Sequence, residues 1–343
     1  MNEQQWKAEA QQIADRIRLR VLQNTVSRNG GYLSQACSSA EIFAALYTRV
    51  LRLCPLDAPL LPGDFTGTPG PGHPAVTGAA FNGAGRADCD NFILSPAQYA
   101  LVLYAALVET GRMDARGMDR YDQDGSAVEM IGAEHSPGME VTTGSLGQGI
   151  SQAAGIAFAR RMRGEKGRVV LLMSDGECQS GEFWEAVQAM SYHKLGNMLI
   201  YVDVNGYQCD GKMTSVMNLE PFHDRLTAFG ARVYRIDGHD LSKLAELGQQ
   251  PACDAVSYTH LFRQFPFDQP AVHPRRGSGG LCHRQRGKTA GHRPAGTGGA
   301  PVPQPQGNAG TGAGAGRHCG QHHPLPPRGS GGDGGTARRG PVH

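Results

Sequence analysis

The chain has 343 residues, 39% hydrophobic and 19% charged, which is the make-up of a globular protein with room for one large or two average domains. Its formal charge of +2 hides a division: residues 1–270 carry 23 Lys+Arg against 30 Asp+Glu, whereas residues 271–343 carry 10 against 1. The acidic part excludes the basic surface that a nucleic-acid protein needs. No apolar run reaches the roughly 18 residues of a membrane span. Met1–Glu9 is polar and lacks the apolar core of a signal peptide, so the cytoplasm is the expected compartment. The eight cysteines form no CxxC, which excludes a zinc ribbon or a dithiol redox motif and predicts reduced thiols.

In chain order, Trp6, Ile13, Ile17 and Val21 predict a helix over Gln4–Thr25, and Ser38–Leu53 predicts a second, with Ser38 or Ser39 as its cap and Pro55 as its stop. Pro55–Gly85 is a Pro/Gly-rich loop of a length that is usually functional or disordered. Ser95–Gly111 reads as a helix and Asp114–Val141 as irregular. Beyond it strands and helices alternate. Leu146–Arg163 is a helix, RVVLLMS (Arg168–Ser174) a buried strand, Glu182–His193 a helix and MLIYVDV (Met198–Val204) a second buried strand. Pro221–Phe229, Arg232–Ile236 and Asp240–Leu247 follow as helix, strand and helix. This alternation predicts an α/β fold, a parallel sheet flanked by helices, with its ligand beyond the carboxyl ends of the strands. The folded domain is expected to span residues 1–250.

Residues 251–343 read as a low-complexity tail. From 271 onward, 46 of 73 residues are Gly, Pro, Ala or Arg, and Ile, Met, Phe, Tyr, Trp and Glu are absent. Such a segment buries too little apolar surface to offset its ordering entropy, so disorder is expected. The same mixture is what a GC-rich gene read out of frame would give, with the change near Pro251–Leu261. The Cys/His pairs of the tail have no zinc-ligand spacing.

Two turns carry the chemistry. Ser174-Asp175-Gly176-Glu177 and Asp203-Val204-Asn205-Gly206 each begin at the end of a predicted strand, with Asp175 and Asn205 thirty positions apart across one helix. Two such strand ends can lie side by side, bringing a carboxylate and an amide oxygen to a hard cation such as Mg²⁺ that keeps phosphate oxygens as further ligands. Gly176 admits a close backbone approach, and the helix that follows points its N-terminus at the anion.

This pairing resembles the thiamine diphosphate motif, and further blocks resemble the N-terminal part of the transketolase family: EVTTGSLGQGISQAAG (140–155), DGECQSGEFWEA (175–186), YVDVNGYQCDG (201–211), IDGHD (236–240) and SSAEIFAALYTRV (38–50). The resemblance covers about residues 10–250. It implies a thiamine diphosphate-binding fold, with Mg²⁺ held by Asp175, Asn205 and the Tyr207 main-chain oxygen. It places Gly176 and Glu177 by the diphosphate, and lines the cofactor with Gly144, Ser145, Leu146, Gly147, Gln148 and Gly149. It also implies that His239 faces diphosphate and substrate, and that Glu185 joins a carboxylate network between the two active sites of a dimer. The implied reaction is transfer of a two-carbon ketol unit between sugar phosphates. The alternatives are a 2-oxo acid dehydrogenase-type component or a non-catalytic fragment.

The chain also departs from that family. Asn29-Gly30-Gly31-Tyr32 and Ser95-Pro96-Ala97-Gln98 stand where two substrate-binding histidines are usual, and Ser180 stands where a further glutamate is common. Gln98 forms hydrogen bonds but carries no proton at neutral pH. The family's pyrimidine-binding domain has no counterpart here. The resemblance therefore implies a partner, a C-terminal transketolase-type subunit, in a homo- or hetero-oligomer.

Overall fold

The computed structural model describes residues 2–67, 71, 77–83, 87–250 and the backbone of 257–262. These lie in the first of two units, which divide between Val272 and His273. The expectations for residues 251–256 and 263–343, including the tail's disorder and Cys/His pairs, lie outside the described residues.

The elements run α1 (Glu3–Arg28), α2 (Leu33–Ala45), β1 (Asn91–Leu94), α3 (Ala100–Glu109), α4 (Gly149–Met162), β2 (Val169–Ser174), α5 (Gly181–Tyr192), β3 (Met198–Val204), β4 (Tyr207–Gln208), β5 (Gly211–Lys212), α6 (Met213–Val216), α7 (Phe222–Ala228), β6 (Arg232–Asp237), α8 (Leu241–Gly248) and β7 (Ser257–Phe262). Helix α1 starts at a reciprocal cap: Gln5 N–H donates to Asn2 Oδ1 at 2.8 Å, and Asn2 N–H donates to Gln5 Oε1 at 3.1 Å. Among the described residues no helix is long and apolar enough to cross a membrane.

Five strands form one parallel sheet in the order β1-β2-β3-β7-β6. Every residue of β2 is buried, as a strand covered on both faces requires. Alternate side chains feed two cores. Phe92, Val170, Leu172, Leu199 and Tyr201 pack with α1, α2, α3 and α8. Ile93, Leu171, Met173, Ile200 and Val202 pack with α4, α5 and α7 on the opposite face. The described residues thus form a helix–sheet–helix sandwich, and the β2/β3 register sets Ser174 beside Asp203.

Three expectations need correction, and one strand was not foreseen. Ser38 and Ser39 do not cap α2, which begins at Leu33; both are buried within it, and Ser39 Oγ donates to the Gln35 main-chain oxygen of the preceding turn at 2.6 Å. Strand β1 lies between the expected loop and the expected helix, in a stretch given no element, because four residues are too short for alternation to be visible. Strand β7 lies beyond the boundary expected at residue 250. Composition averaged over the whole tail hides this run, whose Tyr, Thr and Phe favour extended backbone.

The cysteines are not all reduced thiols: Cys54 and Cys89 form a disulfide across 35 positions, with Cα atoms 5.9 Å apart. The Pro/Gly-rich loop leaves the end of the α2 segment and returns to the start of β1, so its two ends meet within bridging distance. Closing a loop of this length should contribute about 2–4 kcal/mol. Cys54→Ser should therefore lower the denaturant midpoint, and reduction of the unmodified chain should lower it equally. A midpoint indifferent to both would remove the bridge.

Candidate functional site at the carboxyl edge of the sheet

The ends of β2 and β3 open into a cavity of about 580 Å³. Its lining includes Asp175, Gly176 and Glu177 after β2, Asn205 and Tyr207 after β3, and Leu146 before α4. Ser34, Gln35 and Ser38 of α2 complete it with Tyr32, Gln98 and Tyr99. The two turns singled out by spacing therefore meet: Asp175 N–H donates to Asp203 O at 3.2 Å, and Gly206 N–H donates to Asp175 Oδ2 at 2.9 Å.

Three buried carboxylates cluster here: Asp175, Glu177 and Asp203. Burial pushes Asp175 up to about 7, with Asp203 adding to the rise and the Gly206 amide opposing it. Burial also raises Glu177 and Asp203. Among the described residues, no Lys, Arg or His lines the cavity. A buried acidic site lined by a carboxylate and an amide suits a hard divalent cation, whose charge would restore the ionised forms. Asp175, Asn205 and the Tyr207 main-chain oxygen fit that donor set. Asn205 Oδ1 at present accepts the Tyr207 N–H at 3.0 Å.

Glu177 lines the cavity and is held there by its own hydrogen bonds. Its Oε1 accepts from Ser95 Oγ at 2.6 Å and Gly147 N–H at 3.1 Å; its Oε2 accepts from Ser174 N–H at 3.0 Å and Ser174 Oγ at 3.2 Å. Four donors from three segments occupy it, so it ties β1, β2 and the GSLGQG loop together. That loop needs its glycines. Gly147 has φ +86°, and a Cβ there would lie 2.3 Å from Ser180 Oγ; one on Gly149 would lie 2.4 Å from Ser95 Oγ. Of residues 144–149 only Leu146 lines the cavity. Gly147 and Gly149 are buried behind it, while Gly144, Ser145 and Gln148 are exposed.

Two expected residues stand elsewhere. His239 is not among the lining residues; its Nδ1 lies 2.8 Å from Glu41 Oε2. Glu185 sits on the exposed face of α5, in a separate open depression with Tyr192, His193 and Phe229. Sequence reasoning missed Ser38, Glu41 and Tyr99, and named Asp203 only as the start of the second turn. Asp203 accepts from Ser38 Oγ at 2.7 Å and from Tyr99 Oη at 2.9 Å. The signal was the polar run 34, 35, 38 and 41 at helical spacing, on a helix otherwise rich in Ala, Ile and Phe.

Glu41 is held near 2. Burial pushes it up, but His239 and Arg18 outweigh that and stabilise the charged form. Its folded value lies below the unfolded one, so its contribution is present above about 4.5 and is lost as pH falls from there toward 2. That contribution is of order 2–3 kcal/mol. Acid titration of stability should show this loss, and Glu41→Gln should flatten it. Parallel curves for the two proteins would contradict it.

A sandwich of this topology, with acids and amides at the carboxyl edge of its central strands, belongs to the class of α/β domains that bind ligands at that edge. Residues 82–252 match the family model described as transketolase, thiamine diphosphate binding domain. A putative uncharacterized transketolase family protein of Sinorhizobium fredii is 35% identical over 234 residues, covering 68% of this chain and 75% of that protein. The chain belongs to the transketolase family. The 6-deoxy-6-sulfo-D-fructose transketolase subunit SqwG of a Clostridium species is 29% identical, covering 73% of this chain and 81% of that protein. Against transketolase-like protein 2 of Homo sapiens the identity is 30%, and the chain spans only 33% of its length. Transketolase of Campylobacter jejuni shares the fold at a TM-score of 0.59 and 21% identity, over 76% of this chain and 38% of that structure.

Proposed function

We propose that the chain is the diphosphate- and metal-binding subunit of a two-subunit transketolase-type enzyme, which moves a two-carbon ketol unit between sugars using thiamine diphosphate and Mg²⁺. The observation that carries this reading is the β2/β3 register, which sets Asp175 and Asn205 at one acidic cavity without a lysine, arginine or histidine in its described lining. The relatives support the division into subunits: SqwG and an apulose-4-phosphate transketolase subunit of Phocaeicola vulgatus are subunits by name, and the chain spans 81% and 73% of them.

Thiamine diphosphate, when bound, supplies the carbon nucleophile that adds to a ketose carbonyl. Asp175, Asn205 and the Tyr207 carbonyl would hold the cation that neutralises its diphosphate. Gly176 lets the main chain approach, and Leu146 gives the cavity an apolar wall. Gln98, standing where a histidine is usual, and Tyr32, in the stretch that replaces the other, would offer neutral hydrogen bonds to the sugar. His239 would contribute a proton-carrying group at the same edge, and Glu185 would meet the carboxylates of a second copy. The pyrimidine-binding domain comes from the partner subunit, in the cytoplasm.

Calorimetric titration of thiamine diphosphate into the full chain, with and without Mg²⁺, tests the cofactor. Mg²⁺-dependent heat supports the reading, and no binding to folded protein overturns it. With the partner subunit present, a ketose phosphate should turn over and a 2-oxo acid should not.

A further inference from the structure

One buried carboxylate outside the cavity is occupied in holding a histidine. Glu41 is 3% exposed, and each of its oxygens has a partner. Oε2 meets His239 Nδ1 at 2.8 Å and pairs with Arg18, while Oε1 accepts from Gln11 Nε2 at 3.2 Å. Arg18 and Gln11 lie on α1, so two helices build the acceptor before the loop carrying His239 reaches it. That loop is anchored independently: His239 N–H donates to Asp237 Oδ1 at 2.9 Å, and Asp240 caps α8 through the Ser242 and Lys243 amides.

An ionised carboxylate only accepts hydrogen bonds, so the nitrogen facing it must carry the proton. In a neutral imidazole, the hydrogen bond made by one nitrogen decides which form the other takes. We propose that Glu41 is a positioning residue that fixes the His239 proton on Nδ1 and leaves Nε2 as the nitrogen offered to a ligand. Ser38, one turn earlier on α2, holds Asp203 by donating its hydroxyl proton to Oδ2 at 2.7 Å. The helix thus orders two groups at the site's edge from one face. The assignment of Nδ1 stands on geometry; the nature of the ligand that Nε2 meets rests on the function proposed above.

The test is ¹⁵N NMR of the histidine-labelled full chain at alkaline pH, with His239 assigned through His239→Gln. Nδ1 of His239 should show the protonated shift and Nε2 the unprotonated one; a proton on Nε2 in the unmodified protein overturns the proposal without any variant. Glu41→Ala should move His239 toward the opposite tautomer. Arg18→Met, which removes the ion pair but not the His239 contact, should leave it unchanged. If Arg18→Met shifts it as far as Glu41→Ala does, Glu41 acts through the general order of α1 and α2, and the proposal fails. Thiamine diphosphate affinity in the presence of Mg²⁺ should fall about tenfold in Glu41→Ala. Should the unmodified chain bind no cofactor, the proposed function falls, while the NMR result still decides the role of Glu41.

Discussion

Asp175→Asn should abolish Mg²⁺-dependent binding of thiamine diphosphate, by about 100-fold or more, while leaving the chain folded. The two effects part because the carboxylate is poorly placed for stability. Asp175 is buried beside Asp203, and its folded pKa, pushed up to about 7, lies above the unfolded 3.8. A raised acid contributes its stability at low pH and loses it as pH rises through about 7. At pH 8 the asparagine variant should therefore match or exceed the unmodified chain in thermal midpoint, since its amide oxygen can still accept the Gly206 N–H. A variant that binds cofactor undiminished would remove Asp175 from the metal site. One that unfolds at pH 8 would show that the carboxylate is structural.

The second large effect is expected at Gly147. Gly147→Ala places a side chain at φ +86° and drives its Cβ to 2.3 Å from Ser180 Oγ. Left-handed strain costs about 1–3 kcal/mol, and overpacking adds about 1–3 kcal/mol. Ser180 cannot step aside freely, because its Oγ caps α5 by accepting the Phe183 N–H at 3.3 Å. The measurement is a double-mutant cycle in denaturant. Ser180→Ala should cost about 1 kcal/mol alone as a lost cap yet recover part of the Gly147→Ala penalty when the two are combined. Strict additivity would mean that the Ser180 hydroxyl is not the obstacle.

The strands that frame the cavity were legible because RVVLLMS and MLIYVDV are continuous apolar runs that each end in an acid or amide beside a glycine, so local sequence gives both the strand and its exit. Asp175, Gly176 and Asn205 could be placed at one edge for that reason, whereas Glu177, Tyr207 and Leu146 followed only from the family resemblance. The contribution of α2 was not legible in the same way. Polar residues at 34, 35, 38 and 41 look like a solvated helix face, and only the packing of α2 over the sheet turns that face toward Asp203 and His239. The partner of His239 lies 198 positions earlier, beyond any local pattern. The Cys54–Cys89 bridge likewise depends on the path of the loop between them, which composition does not encode. The hydrogen bonds that hold Glu177 were not legible, because its four donors come from segments that sequence does not show converging.

The Glu177 clamp also has a kinetic side. Two of its four donors are main-chain N–H groups, those of Ser174 and Gly147, which lie 27 positions apart yet close on the same carboxylate. Neither amide can be released to solvent by this anchor while the other keeps its bond and the carboxylate stays in place. Their hydrogen–deuterium exchange should therefore follow one opening event, with similar protection that collapses together in Glu177→Gln. The strand end that carries Asp175 and the loop that carries Leu146 thus breathe as one cooperative unit, so the two walls of the cavity are exposed or closed in concert.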